Sequence, residues 1–505
     1  MTDVDSRAAA ADDHDRRLRA NVHPLDWINP TPKSKYDLVV VGAGTGGLVT
    51  AAGAAGLGAS VALIEMHQMG GDCLNVGCVP SKGIIAAARA WHGARSAVAF
   101  GGPAVSGDGN FGTAMERMRR LRADLSHVDS VPRFAGLGVD VFLGRGQFTA
   151  PDRVEVGGAM LRFKRAVIAT GARASAPPIP GLAEAGYLTN ETIFSLTELP
   201  PRLLVLGAGP IGCEMAQSFA RFGSQVTVLD RAERILHRDD PDASAVVQRV
   251  MIHDGVAFEM GTTIDRVDRQ RGEVLVTYSR DGTTNTVRGD ALLVAVGRAP
   301  NVEHVGLDLA NVAYGPAGVT VDDRLRTTNR RVFAVGDVCS RLQFTHSADF
   351  QARLVIANAL FFGRGRNSNL VIPWCTYTSP EVAHVGITPD QAAGEGVELD
   401  TVTVPFDDVD RAVLEGETEG FLRIHLQKGS DRILGVTIVD AHAGDLLGEA
   451  AVAVTRKLRL GTIGQVIYPY PTKAEAFRKA SDQWRRGKLT PLVRRIFAKW
   501  FQLLR

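Results

Sequence analysis

The fold is decided by residues 36–47, which read YDLVVVGAGTGG. The mostly apolar run at the start predicts a buried parallel strand, and the glycines after it follow the spacing G-x-G-x-x-G. An alanine-rich helix is predicted to continue to about Leu57, and a second apolar strand over residues 60–65 ends at an acid. Strand, glycine-rich turn, helix, strand and acid in this order are typical of a dinucleotide-binding α/β unit.

Four residues of this unit have predictable roles. The first glycine allows the tight turn, the second lets a pyrophosphate approach the backbone, and the third packs the helix against the strand. The N-terminus of the helix faces the phosphates, and the acid is expected to accept a hydrogen bond from a ribose hydroxyl. In this sequence the four residues are Gly42, Gly44, Gly47 and Glu65.

The unit occurs a second time further along the chain. Residues 203–212 read LLVLGAGPIG, and the apolar strand over residues 225–230 also ends at an acid. One glycine-rich turn alone would be weak evidence, whereas two copies in register predict two dinucleotide sites. Aligned without a gap on the first copy, the corresponding residues are Gly207, Gly209, Gly212 and Asp230.

A pair of cysteines follows the first unit within residues 70–82, which read GGDCLNVGCVPSK. On a regular helix the Cα atoms of Cys73 and Cys78 would be about 8–9 Å apart, beyond the ~7 Å that a disulfide tolerates. We therefore expect the backbone to deform near Cys78, where Gly77 is flexible and Pro80 lacks an N–H donor. A strained disulfide beside a nucleotide site predicts redox chemistry, and the alternative is a pair of ordinary structural cysteines.

The two sites are expected to hold different dinucleotides. The first site is joined to the cysteine pair by a few residues. This favours FAD there, because a flavin can accept a hydride and then pass two electrons to a disulfide. The second site is then expected to hold the nicotinamide donor, NADH or NADPH. Asp230 would repel a 2′-phosphate and so favours NADH, whereas Arg231 and Arg234 would suit the 2′-phosphate of NADPH.

Length and composition narrow the class of protein. A chain of 505 residues is too long for one core and predicts about three domains. The net charge of +2 gives no electrostatic argument for a nucleic-acid partner. Residues 1–19 lack the apolar core of a signal peptide, and the sequence has no apolar run of about 18 residues. We therefore expect a cytoplasmic protein, and we expect it to hold no resident metal ion.

These motifs together resemble those of the class I pyridine nucleotide-disulfide oxidoreductases. That family includes dihydrolipoamide dehydrogenase, glutathione reductase and mercuric reductase. The resemblance covers about residues 35–480, and the redox-active box of the family corresponds to residues 70–82. It implies an α/β fold with two Rossmann-like dinucleotide-binding domains, for FAD and NAD(P), and a C-terminal α+β dimerisation domain. The further segments that carry it are 169–172, 295–298, 327–337 and 376–383.

The resemblance also implies a division of the chain into segments. The FAD-binding domain is expected in two parts, with the NAD(P)-binding domain between them. The predicted segments are 1–34 for an extended N-terminal arm, 35–185 and 301–370 for the FAD-binding domain, 186–300 for the NAD(P)-binding domain, 371–481 for the dimerisation domain, and 482–505 for a basic amphipathic tail.

Roles for individual side chains follow from the same resemblance. Cys78 is implied to be the sulfur next to the flavin, and Cys73 the sulfur that exchanges with the substrate. Lys82 is implied to lie near the flavin and to pair with Glu214, whose alternative interpretation is a solvated acid on a helix. The further implied cofactor contacts are Thr170, Gly171 and Asp337 for FAD and Gly297 for NAD(P).

One segment departs from the family pattern. Disulfide reductases of the family usually carry His-Pro-Thr-x-x-Glu near the C-terminus, with the histidine as acid–base, whereas residues 470–475 read YPTKAE. Tyr470 is expected to be a poor base at neutral pH, because the ordinary pKa of tyrosine is about 10. Mercuric reductases also place a tyrosine here, yet they typically end in a Cys-Cys pair. No cysteine follows Cys375 in this sequence, which disfavours mercury as the acceptor.

The resemblance further implies a homodimer whose active site is shared between the two subunits. Tyr470 of one chain would then orient a metal ion or another acceptor at Cys73 of the partner subunit. Glu475 would hold the local geometry as an acceptor of hydrogen bonds.

Residues 484–505 form a second departure. They contain seven basic residues and no acid, with apolar residues at helical spacing, which predicts one cationic amphipathic helix. Two interpretations stay open for this helix. It lies on an anionic membrane as a peripheral contact, or it packs on its own dimer with a basic outer face.

The leading functional hypothesis is a flavoenzyme in which electrons pass from NAD(P)H through FAD to Cys73–Cys78 and on to an acceptor. The acceptor classes are a metal ion, a small disulfide such as lipoamide, and a quinone. The alternative is a redox sensor or a membrane-associated electron-transfer flavoprotein. An NADH oxidase or peroxidase is disfavoured because those enzymes use a single cysteine.

Overall fold

The computed structural model describes residues 12–505, and these fall into two compact units. The first unit comprises the described residues up to Arg231 together with residues 255–370. The second comprises residues 232–254 together with residues 371–505. Within the described part of the chain, no helix combines the length and the apolar character needed to cross a membrane.

The α-helices are numbered in chain order. Those of the first unit are α1 (Asp13–Val22), α2 (Thr45–Gly56), α3 (Gly71–Asn75), α4 (Cys78–Ser96), α5 (Phe111–Leu125), α6 (Val131–Gly136), α7 (Leu182–Ala185), α8 (Pro210–Arg221) and α10 (Thr345–Leu360). Those of the second unit are α9 (Pro241–His253), α11 (Pro389–Glu395), α12 (Asp410–Glu415), α13 (Ala443–Thr455), α14 (Leu460–Ile463), α15 (Glu475–Gly487) and α16 (Pro491–Leu503).

The first unit contains two sheets that carry the glycine-rich turns. The larger sheet runs in the order β3 (Asp140–Leu143), β2 (Val61–Glu65), β1 (Tyr36–Val41), β6 (Ala159–Ile168), β5 (Arg153–Val156) and β4 (Gln147–Ala150), and β18 (Val332–Ala334) also pairs with β6. The other runs in the order β10 (Val256–Met260), β9 (Gln225–Asp230), β8 (Arg202–Leu206) and β14 (Ala291–Val294).

Smaller sheets complete the first unit, and one sheet forms the second. The smaller sheets are β11 (Thr263–Gln270) with β12 (Glu273–Arg280) and β13 (Thr283–Gly289), β7 (Ala172–Ala174) with β15 (Arg298–Pro300), and β16 (Tyr314–Gly315) with β17 (Gly318–Val319). The sheet of the second unit runs in the order β19 (Trp374–Thr376), β20 (Glu381–Gly386), β23 (Ile433–Asp440), β22 (Phe421–Gln427) and β21 (Leu399–Pro405), and its strand pairs are antiparallel.

The central strand of the larger sheet explains why its sequence is apolar on both faces. β1 pairs in parallel with β2 and with β6, and Leu38, Val39 and Val40 are fully buried. Both faces of such a strand are covered, so alternation of polar and apolar residues is lost. α2 and α10 pack together, and Gly53 of α2 leaves room for Ile356. The predicted α/β class with two dinucleotide-binding sheets is confirmed, while the exact division into six segments stays a prediction.

The prediction of an extended N-terminal arm is wrong for residues 13–22, which form a helix. α1 lies in that arm, with Asp12 as its cap, since the Asp12 carboxylate accepts a hydrogen bond from the backbone N–H of Asp15 at 2.9 Å. Leu18 and Val22 lie one turn apart and are buried in the core of the first unit. Their apolar spacing gives the helix one face that packs. Residues 1–11 of the predicted arm lie outside the described residues.

The prediction of one continuous helix over residues 484–505 is also wrong. α15 ends at Gly487 and α16 begins at Pro491. A proline has no N–H to donate to the preceding turn, so it stops one helix and suits the first turn of the next. Thr490 caps the new helix by accepting a hydrogen bond from the backbone N–H of Val493 at 3.4 Å.

Candidate active site

The first glycine-rich turn is tight enough to require glycine. Gly42 has φ +103°, and a Cβ at this position would overlap the carbonyl of Ala169. A Cβ at Gly47 would overlap the carbonyl oxygen of Gly42, so the helix lies directly against the turn. The Glu65 carboxylate accepts a hydrogen bond from the backbone N–H of Ala43 at 2.6 Å. Burial raises the pKa of Glu65.

The second turn repeats this geometry. Gly207 has φ +107°, and an added Cβ would overlap the carbonyl of Ala295. A Cβ at Gly212 would overlap the carbonyl oxygen of Gly207. The Asp230 carboxylate accepts from the backbone N–H of Ala208 at 2.6 Å. The internal repeat seen in the sequence is therefore a repeat of backbone geometry and of acid placement.

Both turns fit a dinucleotide pyrophosphate. Gly44 and Gly209 cap the N-termini of α2 and α8, where backbone N–H groups lack partners within the helix. A Cβ at Gly209 would meet nothing within 4 Å, and one at Gly44 would meet only the Cα of Gly71, at 3.7 Å. Open backbone at a helix N-terminus is a suitable cradle for phosphate.

The cysteine pair spans a break between two helices. Cys73 lies in α3, which ends at Asn75, and Cys78 is the first residue of α4. Gly77 joins them with φ −135° and ψ −113°, and a Cβ there would lie 2.7 Å from the Asp72 carbonyl oxygen. The expected deformation of the backbone near Cys78 is confirmed. Pro80 falls in the first turn of α4, where its missing N–H costs no helical hydrogen bond.

The cysteine box also lies against the first glycine-rich turn. A Cβ added to Gly71 would be 2.6 Å from the Cα of Gly44. The backbone N–H of Gly70 donates to the Ala43 carbonyl at 2.9 Å. Hence the two free thiols, with Cys73 half-buried and Cys78 exposed, stand beside the cradle at the start of α2.

The two thiols differ in acidity. A hydrogen bond between them lowers the pKa of Cys78 to about 6 and raises that of Cys73 above its usual value, so the shared proton stays on Cys73. The Thr345 hydroxyl, 3.3 Å from the Cys78 sulfur, and the charge of Lys82 also lower the Cys78 pKa. The position at the N-terminus of α4 favours a negative charge on the same sulfur. At neutral pH the reduced pair holds a thiolate at Cys78 and a thiol at Cys73.

Lys82 lies one turn beyond Cys78 on α4 and reaches α8. Its Nζ is 3.0 Å from the Glu214 Oε2, with the Glu214 side chain 6% exposed. The structure thus brings together the two residues whose pairing the sequence analysis predicted. The ion pair places a cation within the electrostatic reach of the Cys78 thiolate.

Arg298 is a charged residue of this region that the sequence analysis did not single out. Its guanidinium bonds the Asp72 carboxylate and lies 3.5 Å from the Asp337 Oδ2. Burial raises the pKa of Asp337, and the nearby Arg298 opposes that rise. Asp337, implied to contact FAD, is therefore linked through one cation to the cysteine box. The sequence feature that points to Arg298 is its position at the end of segment 295–298, one of the segments that carry the family resemblance.

The remaining predicted cofactor contacts lie on turns. The Thr170 hydroxyl donates to the Asn301 carbonyl at 2.7 Å, and Gly171 has φ +67° in the turn after β6. Gly297 has φ +143° in the turn after β14. The roles of these residues stay predictions. No group of His, Cys, Asp or Glu side chains within residues 12–505 is arranged to hold a metal ion.

The two arginines near Asp230 differ in their surroundings. Arg231 is exposed. The Arg234 guanidinium is held by its own loop and by α9, because Nη1 donates to the Asp239 carbonyl at 3.0 Å and to the Ser244 hydroxyl of α9 at 3.1 Å. Of the two, Arg231 has the more accessible side chain.

Tyr470 belongs to the second unit, with its side chain 71% exposed. Its hydroxyl donates to the Asp410 carboxylate at 3.0 Å, and this hydrogen bond raises the tyrosine pKa. The expectation of a poor base is therefore strengthened. Lys473 lies three residues after Tyr470. Its side chain is buried, and its Nζ donates a hydrogen bond to the Asp440 carboxylate at 2.8 Å.

Glu475 is buried at the start of α15. Its Oε1 accepts from the Arg478 Nη2 at 2.5 Å, which agrees with the predicted acceptor role. Its Oε2 has no hydrogen-bond partner among the described residues.

The chain matches two family models that together span most of its length. The model for pyridine nucleotide-disulphide oxidoreductases matches residues 36–352, and the model for their dimerisation domain matches residues 372–481. The chain therefore belongs to the pyridine nucleotide-disulphide oxidoreductase family, as its resemblance predicted.

Similar proteins agree with this assignment. The chain is 34% identical over 463 residues to a mercuric reductase of Lysinibacillus sphaericus, covering 91% of this chain and 84% of the relative. It is 31% identical over 469 residues to a dihydrolipoyl dehydrogenase of Bacillus subtilis (strain 168), covering 89% of this chain and 98% of the relative. Among solved structures it is similar to the Cu(II) complex of the HOCl-induced flavoprotein disulfide reductase RclA from Escherichia coli. That match has a TM-score of 0.80 and 27% identity, and covers 89% of this chain and 100% of the other.

Membership of the family defines the class of chemistry. The family consists of flavin-dependent oxidoreductases that use FAD and NAD(P)H, so the protein is an enzyme of this class. The two cradles fit these two cofactors. The dimerisation domain at residues 372–481 indicates a homodimer.

Proposed function

We propose that the protein passes electrons from NADH through the Cys73–Cys78 pair to a metal ion such as Cu²⁺. The observation that carries this proposal is the Cys78 sulfur. It begins α4 beside the first glycine-rich cradle, its pKa is lowered to about 6, and it stands within reach of Cys73 and Thr345. A stabilised thiolate next to a flavin site is what a disulfide-reducing flavoenzyme needs.

The electrons balance over one turnover. When bound, FAD supplies the step that takes a hydride from NADH and delivers two electrons to the cysteines. The Cys73–Cys78 disulfide takes up two electrons and one proton when its S–S bond breaks. The proton, supplied with the hydride of NADH, stays on Cys73, and Cys78 is left as a thiolate at neutral pH. Two electrons then leave to two Cu²⁺, the Cys73 proton is lost, and the S–S bond re-forms.

Lys82 and Glu214 have a positioning role in this proposal. The Lys82 ammonium is implied to stand near the flavin ring, and the buried Glu214 carboxylate fixes it there at 3.0 Å. The same cation favours the Cys78 thiolate. The proposed contacts to FAD are otherwise made by Gly42, Gly44, Gly47, Glu65, Thr170, Gly171 and Asp337.

The surroundings of Tyr470 support a cationic acceptor. A small disulfide requires proton transfer at the exchange thiol, for which the family uses a histidine, and the raised pKa of Tyr470 makes it a poor base. The exposed phenol–carboxylate pair of Tyr470 and Asp410 attracts cations instead. The names of the mercuric reductase relative and of the Cu(II) complex of RclA agree with this choice.

NADH is the proposed donor. Asp230 carries the negative charge that a 2′-phosphate would meet, and Arg234 is engaged by its own loop and by α9. Arg231 is then the nearby cation that would bind the 2′-phosphate of NADPH. Gly207, Gly209, Gly212 and Gly297 complete the proposed nicotinamide site.

The proposed active unit is the homodimer, with Tyr470 of one chain facing Cys73 of the partner subunit. Glu475 supports the Tyr470 segment from the start of α15. The proposed location is the cytoplasm, including a peripheral membrane contact through residues 482–505.

A steady-state panel of acceptors tests the proposal. Hg²⁺, Cu²⁺, lipoamide, glutathione disulfide and a quinone are each offered with NADH and with NADPH, and oxidation of the nicotinamide is followed. We expect sustained turnover with a metal ion and NADH. Turnover with lipoamide or a quinone alone would assign that class instead. Reduction that stops after one equivalent with every acceptor would make the protein a redox sensor.

A further inference from the structure

The helix α16 has two chemically distinct faces. At 100° per residue, Leu492, Ile496, Phe497, Trp500 and Phe501 fall on one half of the helix surface. The opposite half carries Arg494, Arg495 and Lys499, with the neutral Ala498 and Gln502 between them. The apolar half is about as wide as the polar half, which is typical of helices that lie at an interface.

The structure leaves the apolar face of α16 open to solvent. The exposed fractions are 67% for Leu492, 57% for Ile496, 49% for Phe497, 57% for Trp500 and 59% for Phe501. Scattered exposed apolar residues are ordinary, but a contiguous apolar patch marks an interaction site.

The preceding helix, α15, is packed against the second unit and provides a comparison for α16. α15 buries Ala476, Phe477 and Ala480 in the core of the second unit, and Trp484 packs partly against it. In α16 every residue except Val493 is exposed. An isolated helix of its 13 residues would be marginal in water, so α16 is expected to gain stability from a partner.

The charge of the segment selects the kind of partner. Residues 483–505 contain seven basic residues and no acid. A second copy of the helix would cover the apolar face but would leave the basic face without a counter-charge, because it brings seven more basic residues and no acid. A surface with anionic groups above an apolar layer would pair with the basic face and bury the apolar face at the same time. Trp500 lies in the middle of the apolar face, and aromatic rings of this kind favour the headgroup boundary of a bilayer.

We infer that α16 lies in the plane of a bilayer rich in anionic lipid, with Leu492, Ile496, Phe497, Trp500 and Phe501 inserted and its arginines at the phosphates. The inference rests on the peripheral contact in the proposed function and names the residues and the kind of lipid that make it. It does not depend on which acceptor is reduced, because binding and NADH oxidation are measured separately.

Flotation of the holoenzyme with lipid vesicles tests this inference. Vesicles of phosphatidylcholine are compared with vesicles that contain about 30 mol% phosphatidylglycerol, at low and high salt. We expect binding only to the anionic vesicles, weakened by salt, with a blue shift of tryptophan emission that is absent in Trp500→Leu.

Three variants separate the two faces. Ile496→Gln with Phe501→Gln removes two apolar anchors and is expected to weaken binding roughly tenfold or more. Arg494→Gln is expected to weaken it about fivefold on anionic vesicles. Ala498→Gln, on the polar face, is the matched control and leaves binding unchanged. All three replace exposed side chains, so their fold and their oxidation of NADH are expected to match the unmodified protein.

Three outcomes overturn the inference. Equal binding to both kinds of vesicle would remove the role of charge. Failure to bind either kind would exclude a lipid surface. Dissociation of the homodimer by Ile496→Gln with Phe501→Gln, seen by analytical ultracentrifugation, would assign the apolar face to a second copy of the chain.

Discussion

The Cys78 sulfur and the Thr345 hydroxyl oxygen lie 3.3 Å apart, and each residue is the first of its helix. The N-termini of α4 and α10 therefore converge on one sulfur atom. Each helix presents the positive end of its dipole there, and the hydroxyl adds a hydrogen bond. All three effects favour the thiolate over the thiol. They act in the same direction as the hydrogen bond with Cys73, which is the main cause of the lowered Cys78 pKa of about 6.

Thr345→Val is expected to raise the pKa of Cys78 by about one unit, because a hydrogen bond to a charged group is lost while the shape is kept. The pKa is measured in the reduced protein from the pH dependence of its alkylation by iodoacetamide. Thr345→Ser keeps the hydroxyl and is the matched control. An unchanged midpoint in Thr345→Val would show that Cys73 and the helix N-termini account for the acidity without Thr345.

Reduction of the enzyme by NADH is expected to produce a long-wavelength absorbance from a thiolate–flavin contact at Cys78. Cys78→Ser should abolish this absorbance, since it removes the thiolate. Cys73→Ser should keep the absorbance and lose turnover with the acceptor. If the band persists in Cys78→Ser, the roles of the two cysteines are reversed.

The same absorbance is expected to depend on pH in one direction. The pKa of Cys78 is lowered to about 6, so the thiolate is present above that pH and is lost as the pH falls through about 6. Anaerobic titration of the reduced enzyme from about pH 10 downward measures the midpoint, because this range includes the ordinary thiol pKa. A midpoint near the ordinary thiol pKa of about 8.5 would show that the reduced pair does not share its proton as described.

Arg298→Leu is expected to destabilise the holoenzyme by about 2–4 kcal/mol, because it leaves the Asp337 carboxylate, which is 22% exposed, and the Asp72 carboxylate, which is 41% exposed, without their shared cation. The Arg298 side chain is 16% exposed and faces Asp72 and Asp337. Arg173→Leu is a matched control, since Arg173 pairs with Glu303 at 2.9 Å with both side chains about half exposed. That substitution is expected to cost less than about 1 kcal/mol. Urea unfolding followed by flavin fluorescence measures both, and equal losses would refute the special role of Arg298.

The parts of the site that the sequence predicted are those encoded locally. The glycine-rich turns and the helix break at Gly77 depend on residues a few positions apart, so spacing alone reveals them. Thr345 meets Cys78 from 267 positions away, and no local pattern signals that contact. Lys82 and Glu214 were paired through family resemblance, and not through spacing.

The errors in the predicted fold have similarly physical causes. The charged helix α1 was missed because its apolar face consists of little more than Leu18 and Val22. The break between α15 and α16 was signalled by Thr490–Pro491, a cap followed by proline, but the continuous apolar spacing outweighed it. Hydrophobic periodicity reports which face packs and does not report where a helix stops.

The proposed sharing of the active site between subunits gives a complementation test. Cys73→Ser and Tyr470→Phe are each expected to lose most activity with the metal acceptor as homodimers. In a mixed dimer, the chain with intact Tyr470 faces the intact Cys73 of its partner subunit, so one of two sites is restored. Random exchange makes about half of the dimers mixed, and the expected recovery is therefore about a quarter of the unmodified activity.

A matched control distinguishes sharing from simple mixing. A mixture of Cys73→Ser chains with Cys78→Ser chains should recover no activity, because each site draws both cysteines from one chain. Activity of the Cys73→Ser and Tyr470→Phe mixture is measured before and after subunit exchange, with exchange followed by native mass spectrometry. Formation of mixed dimers without recovery of activity, provided that Tyr470→Phe alone is impaired, would show that each site is built within a single chain.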